Sequence, residues 1–120
     1  MTTTYGKIWG CTSAIFSKNN VEIHRIKGVK GGRSSTHKHT AKFSMFWVEA
    51  GSVKISIEKN EYKLIDSTTL KQAESTIIKP GEYHYFEILE NNTICYEIYW
   101  VEIDPDDISR RDCGSCSTAP

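Results

Sequence analysis

Short stretches of alternating apolar and polar residues, parted by turn residues, run the length of this chain. No stretch carries the three-and-four spacing of an amphipathic helix over any length. The clearest unit is Ser52 to Glu58, where Val53, Ile55 and Ile57 alternate with Lys54, Ser56 and Glu58. Such a pattern predicts a strand with one buried and one wet face. Upstream, Tyr5 to Trp9 reads as a short strand, and CTSAIF and VEIHRIKG read as a hairpin parted by Ser17-Lys18-Asn19-Asn20. A further strand is expected after Gly28-Val29-Lys30-Gly31-Gly32, carrying Arg33, Ser35, His37 and His39 on one face, and another over Phe43 to Ala50. Tyr62 to Ile65 and Ser75 to Ile78 follow. Pro80-Gly81 then breaks the chain before Glu82-Tyr83-His84 resumes it, and Thr93 to Glu102 is the longest strand expected. The polar tail offers one short helix, over Asp106 to Arg111. About nine short strands at near-regular intervals predict an all-β sandwich or barrel over residues 1–104, with a tail over 105–120.

At 120 residues the chain is long enough for one domain with a real core. Fifteen basic and fifteen acidic side chains cancel, which argues against a sequence-independent nucleic-acid binder. No apolar run approaches a membrane span, and MTTTYGKIWG lacks the apolar centre of a signal peptide, so a cytoplasmic protein is expected. Of four cysteines, Cys11 and Cys95 read as small hydrophobes. Cys113-Gly114-Ser115-Cys116 has the spacing of a redox pair or half a zinc site, with neither a second CxxC nor a following helix to support either use.

Candidate chemistry centres on Gly31 to Gly51. In an extended strand His37 and His39 project into one space, two ready ligands for zinc, iron, nickel or manganese. His24 reads as a half-exposed strand residue with no partner nearby. Phe46 and Val48 share the parity of Ser44 and should be core wall, leaving Met45 and Trp47 to face outward or toward a second subunit. Tyr83, Tyr85 and Phe86 flank His84 and read as core aromatics or as a surface for a ligand ring.

With these residues laid out, the chain resembles a cupin, a small jelly-roll barrel with a metal site in its mouth. Gly31, His37, His39 and Gly51 fall on the first cupin motif, and Ile78-Lys79-Pro80-Gly81-Glu82-Tyr83-His84 on the second. The resemblance makes His84 the third ligand, beside His37 and His39, for a divalent transition metal. Within the cupins the chain is most similar to the type II mannose-6-phosphate isomerase group. Trp9-Gly10 stands at that group's opening PWG, Lys42 at its lysine, Glu97-Ile98 at its final-strand Glu-Val, and Asp106-Asp107-Ile108-Ser109-Arg110 at its closing DDIxR. Three positions depart from the pattern. Ser44 stands where cupins place the metal glutamate, Ala73-Glu74 where they have Gly-Asp, and Ile88 where they have asparagine.

The resemblance implies a sugar or sugar phosphate in the barrel and an isomerase in which a metal polarises an open-chain carbonyl while a base moves a proton. Glu97 and Lys42 are the catalytic candidates it offers. Arg33, Ser35 and Ser44 are the candidates for holding the ligand, Arg33 being suited to phosphate or carboxylate. Two alternatives stand beside it: a three-histidine iron site that activates dioxygen, as in thiol-dioxygenase-like cupins, and a non-catalytic binding or structural barrel. A homodimer is expected, the three Trp and six Tyr being consistent with a buried aromatic surface.

Overall fold

The computed structural model describes residues 3–59, 64–101, 106, 107 and 109–117. Nine strands form among them: β1 (Thr3–Lys7), β2 (Gly10–Lys18), β3 (Val21–Gly28), β4 (Phe43–Ala50), β5 (Val53–Glu58), β6 (Ile65–Leu70), β7 (Ser75–Ile78), β8 (His84–Ile88) and β9 (Thr93–Trp100). They make an antiparallel six-stranded sheet, in the order β1-β2-β3-β9-β4-β7, and a three-stranded one, β6-β5-β8. The alternation read from the sequence is the reason the two sheets face each other. Ile26, Phe46, Val48 and Ile78 from the larger sheet and Val53, Ile55, Phe86 and Ile88 from the smaller are all nearly inaccessible and form one core. Phe46, Val48 and Ser44 point inward, and Met45 and Trp47 lie on the other face, only half-buried, as their parity predicts.

Three expectations need correcting. The anticipated strand over 33–39 is not a strand; it touches β8 through two isolated bridges, Arg33 with Glu87 and His37 with His84. Three residues lie between Arg33 and His37, but only two between His84 and Glu87, so one residue bulges out between the bridges. The alternation that would place Arg33 beside His37 is broken there. The tail has no helix among its described residues. The strand expected over Tyr62 to Ile65 begins instead at Ile65 and runs to Leu70, residues 62 and 63 lying outside the described residues. Its run Asp66 to Thr69 is polar and exposed, at the edge of the smaller sheet, where no core contact writes a hydrophobic pattern into the sequence. The boundary expected between 104 and 105 also falls outside the described residues.

Two glycines hold special backbone conformations, the first of them beside the site. Gly81 adopts φ +85° directly after Pro80, and its amide donates to the His39 carbonyl at 2.7 Å, tying the turn before His84 to the loop that bears His39. Gly51, at φ +82°, passes so close to Thr93 that a Cβ would lie 2.8 Å from the Thr93 Cα. Ala73, where the cupin pattern has glycine, holds φ +66° at some steric cost, while the Glu74 carboxylate accepts from the Lys71 amide at 2.7 Å.

Candidate metal centre and cavity

His37 and His39 lie on the connection between β3 and β4, and His84 is the first residue of β8. His37 and His84 exchange both backbone hydrogen bonds, at 3.0 and 2.9 Å, which fixes their side chains on one side of the ribbon. His39 joins them through the Gly81 bond. The ring centroids are 4.5 Å apart for His37 and His84, 5.2 Å for His37 and His39, and 5.6 Å for His39 and His84. One ligand nitrogen from each lies within 4.8 Å of the others.

The hydrogen bonding leaves these nitrogens free. Nδ1 of His84 sits 3.0 Å from the Glu82 carbonyl, and Nδ1 of His37 sits 3.0 Å from the Ser35 carbonyl. An Nδ1–H donating to a backbone oxygen puts the lone pair on Nε2 and aims the ring. Nε2 of His84 and of His39 is buried with no partner, and so is the Ser44 hydroxyl on the neighbouring β4. Buried polar atoms are rarely left unpaired. Burial, aided by the adjoining rings of the triad, lowers the pKa of both His39 and His84, and Lys42 adds to the effect on His39. Both are therefore neutral at pH 7, the form that ligates. This donor set fits a divalent transition metal, three neutral imidazoles leaving the remaining coordination positions open.

Beside the triad lies a cavity of about 440 Å³, into which His37 projects along with Trp9, His24, Arg33, Glu97 and Tyr99. Glu97, whose direction strand parity left open, points inward and is only 8% exposed. Burial pushes its pKa up to about 7, against opposing pulls from the Tyr99 hydroxyl and Lys42. Burial and the adjoining Glu97 raise the Tyr99 phenol further above its ordinary range, so it stays protonated and can donate to that carboxylate. The Tyr99 ring also meets the edges of His39, at 5.1 Å, and His24, at 5.7 Å. Lys42 places its Nζ 5.1 Å from the Tyr99 ring centre.

The remaining sequence candidates are spread around this cavity. Arg33 is exposed, and its guanidinium stacks over the Tyr85 ring at 3.8 Å while still lining the mouth. Ser35 lies at the mouth with its hydroxyl 3.3 Å from His37 Nδ1. Ser44 is buried in the core and is not among the residues lining this cavity. Phe86 is core, edge-on to Trp9 at 4.9 Å, while Tyr83 is exposed. The Cys95 thiol is buried, its pKa pushed up to about 12 by burial and then by Glu97, the state of an inert core residue.

One residue was read without its partner and one was not singled out at all. His24 does have a partner, Glu22 at 3.3 Å, and it faces the cavity; its Cα opposes Glu97 across the sheet, a placement only strand order reveals. Ser34 is buried at the bulge, where its hydroxyl accepts from the Phe86 amide at 3.0 Å and donates to the Ser35 carbonyl at 3.1 Å. Nothing in its sequence context marks it.

Two facing antiparallel sheets with three imidazoles gathered between them define a class, and solved structures agree: the chain has the cupin fold. It is similar to KdgF from Halomonas sp., with a TM-score of 0.71 at 11% identity over 86% of this chain and 89% of that one. It is similar to a cupin domain from Schizosaccharomyces pombe, with a TM-score of 0.65 at 10% identity over 77% and 64%. It also resembles Bacillus subtilis oxalate decarboxylase, described for its Mn(II) centres, with a TM-score of 0.73 at 13% identity over 83% of this chain. It spans only 27% of that longer protein. No protein-family profile and no curated sequence matches the chain.

Proposed function

We propose that this protein is a metal-dependent cupin that takes a small anionic sugar, such as a sugar phosphate, and interconverts its aldose and ketose forms. The observation that carries this reading is the buried carboxyl of Glu97, opening into the same cavity as His37. His37, His39 and His84 would hold the metal, and the Mn(II) centres of a protein of the same fold make a divalent ion the natural occupant. The ion would supply Lewis acidity toward the sugar carbonyl. The chain's own residues do the rest. Glu97 as carboxylate removes the proton from the carbon next to the carbonyl and returns it to the former carbonyl carbon, while the hydroxyl proton of that neighbouring carbon passes to the former carbonyl oxygen, so that the carboxylate ends in its starting state. A carboxyl that titrates near neutrality suits both transfers. Tyr99 holds Glu97 by hydrogen bonding, and Lys42 supplies nearby positive charge. Lys7 and Arg33 line the cavity with positive charge for an anionic group.

Metal analysis and a coupled assay with mannose 6-phosphate test this directly. The purified protein should carry one divalent ion per chain and form fructose 6-phosphate. Glu97→Gln should keep the metal and lower turnover by roughly 10²–10⁴-fold, the usual worth of a general base. Iron with oxygen uptake would move the assignment to a dioxygenase, a chemistry that the open positions of an all-imidazole site also permit. Binding of the sugar without turnover would leave a non-catalytic receptor. A protein that takes up no metal would end the reading.

A further inference from the structure

Interconverting an aldose and a ketose moves two protons, and Glu97 carries one of them. The carbon-bound proton passes between neighbouring carbons, and a hydroxyl proton must also cross from one oxygen to the other. His24 stands where a carrier for that second proton is needed. It is the Cα partner of Glu97 across β3 and β9. Directly opposed residues send their side chains to one face, with Cβ atoms about 5 Å apart. Ile26, two residues along β3, is core, so that face is the inner one. Both side chains line the cavity that His37 enters.

His24 does not belong to the metal cluster. Among the described residues, the nitrogens that gather within 4.8 Å are those of His37, His39 and His84. The Tyr99 ring meets the edge of His39 on one side and of His24 on the other, at 5.1 and 5.7 Å, which sets His24 one ring away from the triad. Its own ring is held. Nε2 lies 3.3 Å from the Glu22 carboxylate, which accepts its hydrogen. That tautomer puts the lone pair on Nδ1. A carboxylate on one ring nitrogen orients the imidazole and favours the charge it gains when the other nitrogen takes a proton.

We propose that His24 is a second catalytic residue, carrying the sugar's hydroxyl proton between the two reacting oxygens. The inference rests on the isomerase reading above. Glu97 takes the proton from C2, the C–H pair becomes the C1–C2 double bond, and the carbonyl pair moves onto O1. Nδ1 of His24 takes the O2 hydroxyl proton and gives it to O1. A lone pair on O2 then forms the new carbonyl, and the C1–C2 double bond takes the proton back from Glu97 at C1. Glu97 ends as carboxylate and His24 as neutral imidazole. With O1 and O2 on the same side of the double bond, one nitrogen serves both.

The two protons are followed separately by giving mannose 6-phosphate to the metal-loaded full chain in heavy water. Wild type should form fructose 6-phosphate. Glu97→Gln should stop both that product and the entry of deuterium at C2 of recovered mannose 6-phosphate. His24→Asn should keep its circular dichroism spectrum and metal content while ketose formation slows by roughly 10²-fold. Glu97 still works in this variant, so deuterium should enter recovered mannose 6-phosphate faster than ketose appears. Glu22→Gln alters a half-exposed carboxylate where folding is not at stake. It should shift the same ratio by up to about fivefold, the worth of such a pair. If His24→Asn isomerises at the wild-type rate, or loses exchange and isomerisation equally, the role of His24 is overturned and the isomerase reading stands. A metal-loaded wild type that neither exchanges nor isomerises ends both. If His24→Asn does not fold, an unchanged ratio in Glu22→Gln overturns the proposal.

Discussion

Glu97 is the residue at which burying an ionisable group costs this chain stability. Its carboxyl keeps its proton in the fold until about pH 7, whereas an unfolded glutamate releases it near 4.5. Between those values the folded state binds more protons than the unfolded one, so its stability falls as pH rises. The contribution is whole below about pH 4.5 and gone once pH passes about 7. Glu97→Gln, neutral and nearly the same shape, removes that dependence. The variant should match the wild type in urea unfolding near pH 4 and exceed it near pH 8 by up to about 3 kcal/mol. A constant difference across that range would mean that the carboxyl is solvated and unfit to serve as the proposed base. The sequence, through resemblance, could nominate Glu97, but its direction was illegible because parity along one strand does not say which face the other sheet covers. The histidines were legible for a better reason: a metal site needs particular side chains at particular spacings, and those survive in one dimension.

At the scale of elements, the alternating strands were readable and the connection bearing two of the three histidines was not. β4, β5 and β9 write their burial into the sequence because one face of each meets the core. The segment from Gly31 to Lys42 meets the barrel through backbone bonds to β8, and its bulge depends on a partner 50 residues away. Ser34 holds that bulge. With the ladder out of register, the Phe86 amide finds a serine hydroxyl as its acceptor. Ser34→Ala would leave this buried amide unpaired at a cost of about 1–3 kcal/mol. The loss should appear in urea unfolding, with weakened metal affinity, since the bulge sets where His37 emerges. Ser35→Ala, one residue away and exposed, should change stability by no more than about 0.5 kcal/mol. Equal effects from the two would show that the bulge is held by backbone alone.

Across the whole molecule, the triad draws on the smaller sheet and on the connection that links the two sheets. The connection carrying His37 and His39 leaves the larger sheet at β3, runs beside β8 of the smaller sheet, and returns to the larger sheet at β4. His84 belongs to the smaller sheet, and unpartnered Ser44 looks in from the larger one. An ion held by the three imidazoles would bind the folded arrangement and not the separated ligands of an unfolded chain, so occupancy should stabilise the fold by mass action. At a free metal concentration 100 times the dissociation constant this amounts to about 2.7 kcal/mol. For a chain of this length that corresponds to a rise in Tm of roughly 8–16 °C. Chelation should reverse it. Hydrogen exchange should localise the gain to residues 31–42 and 79–86, where the connection meets β8, and leave 109–117 unchanged. His84→Ala should abolish both the thermal shift and the local protection. A shift that survived His84→Ala would place the ion elsewhere, and the three converging imidazoles would then need another explanation for their unpaired nitrogens.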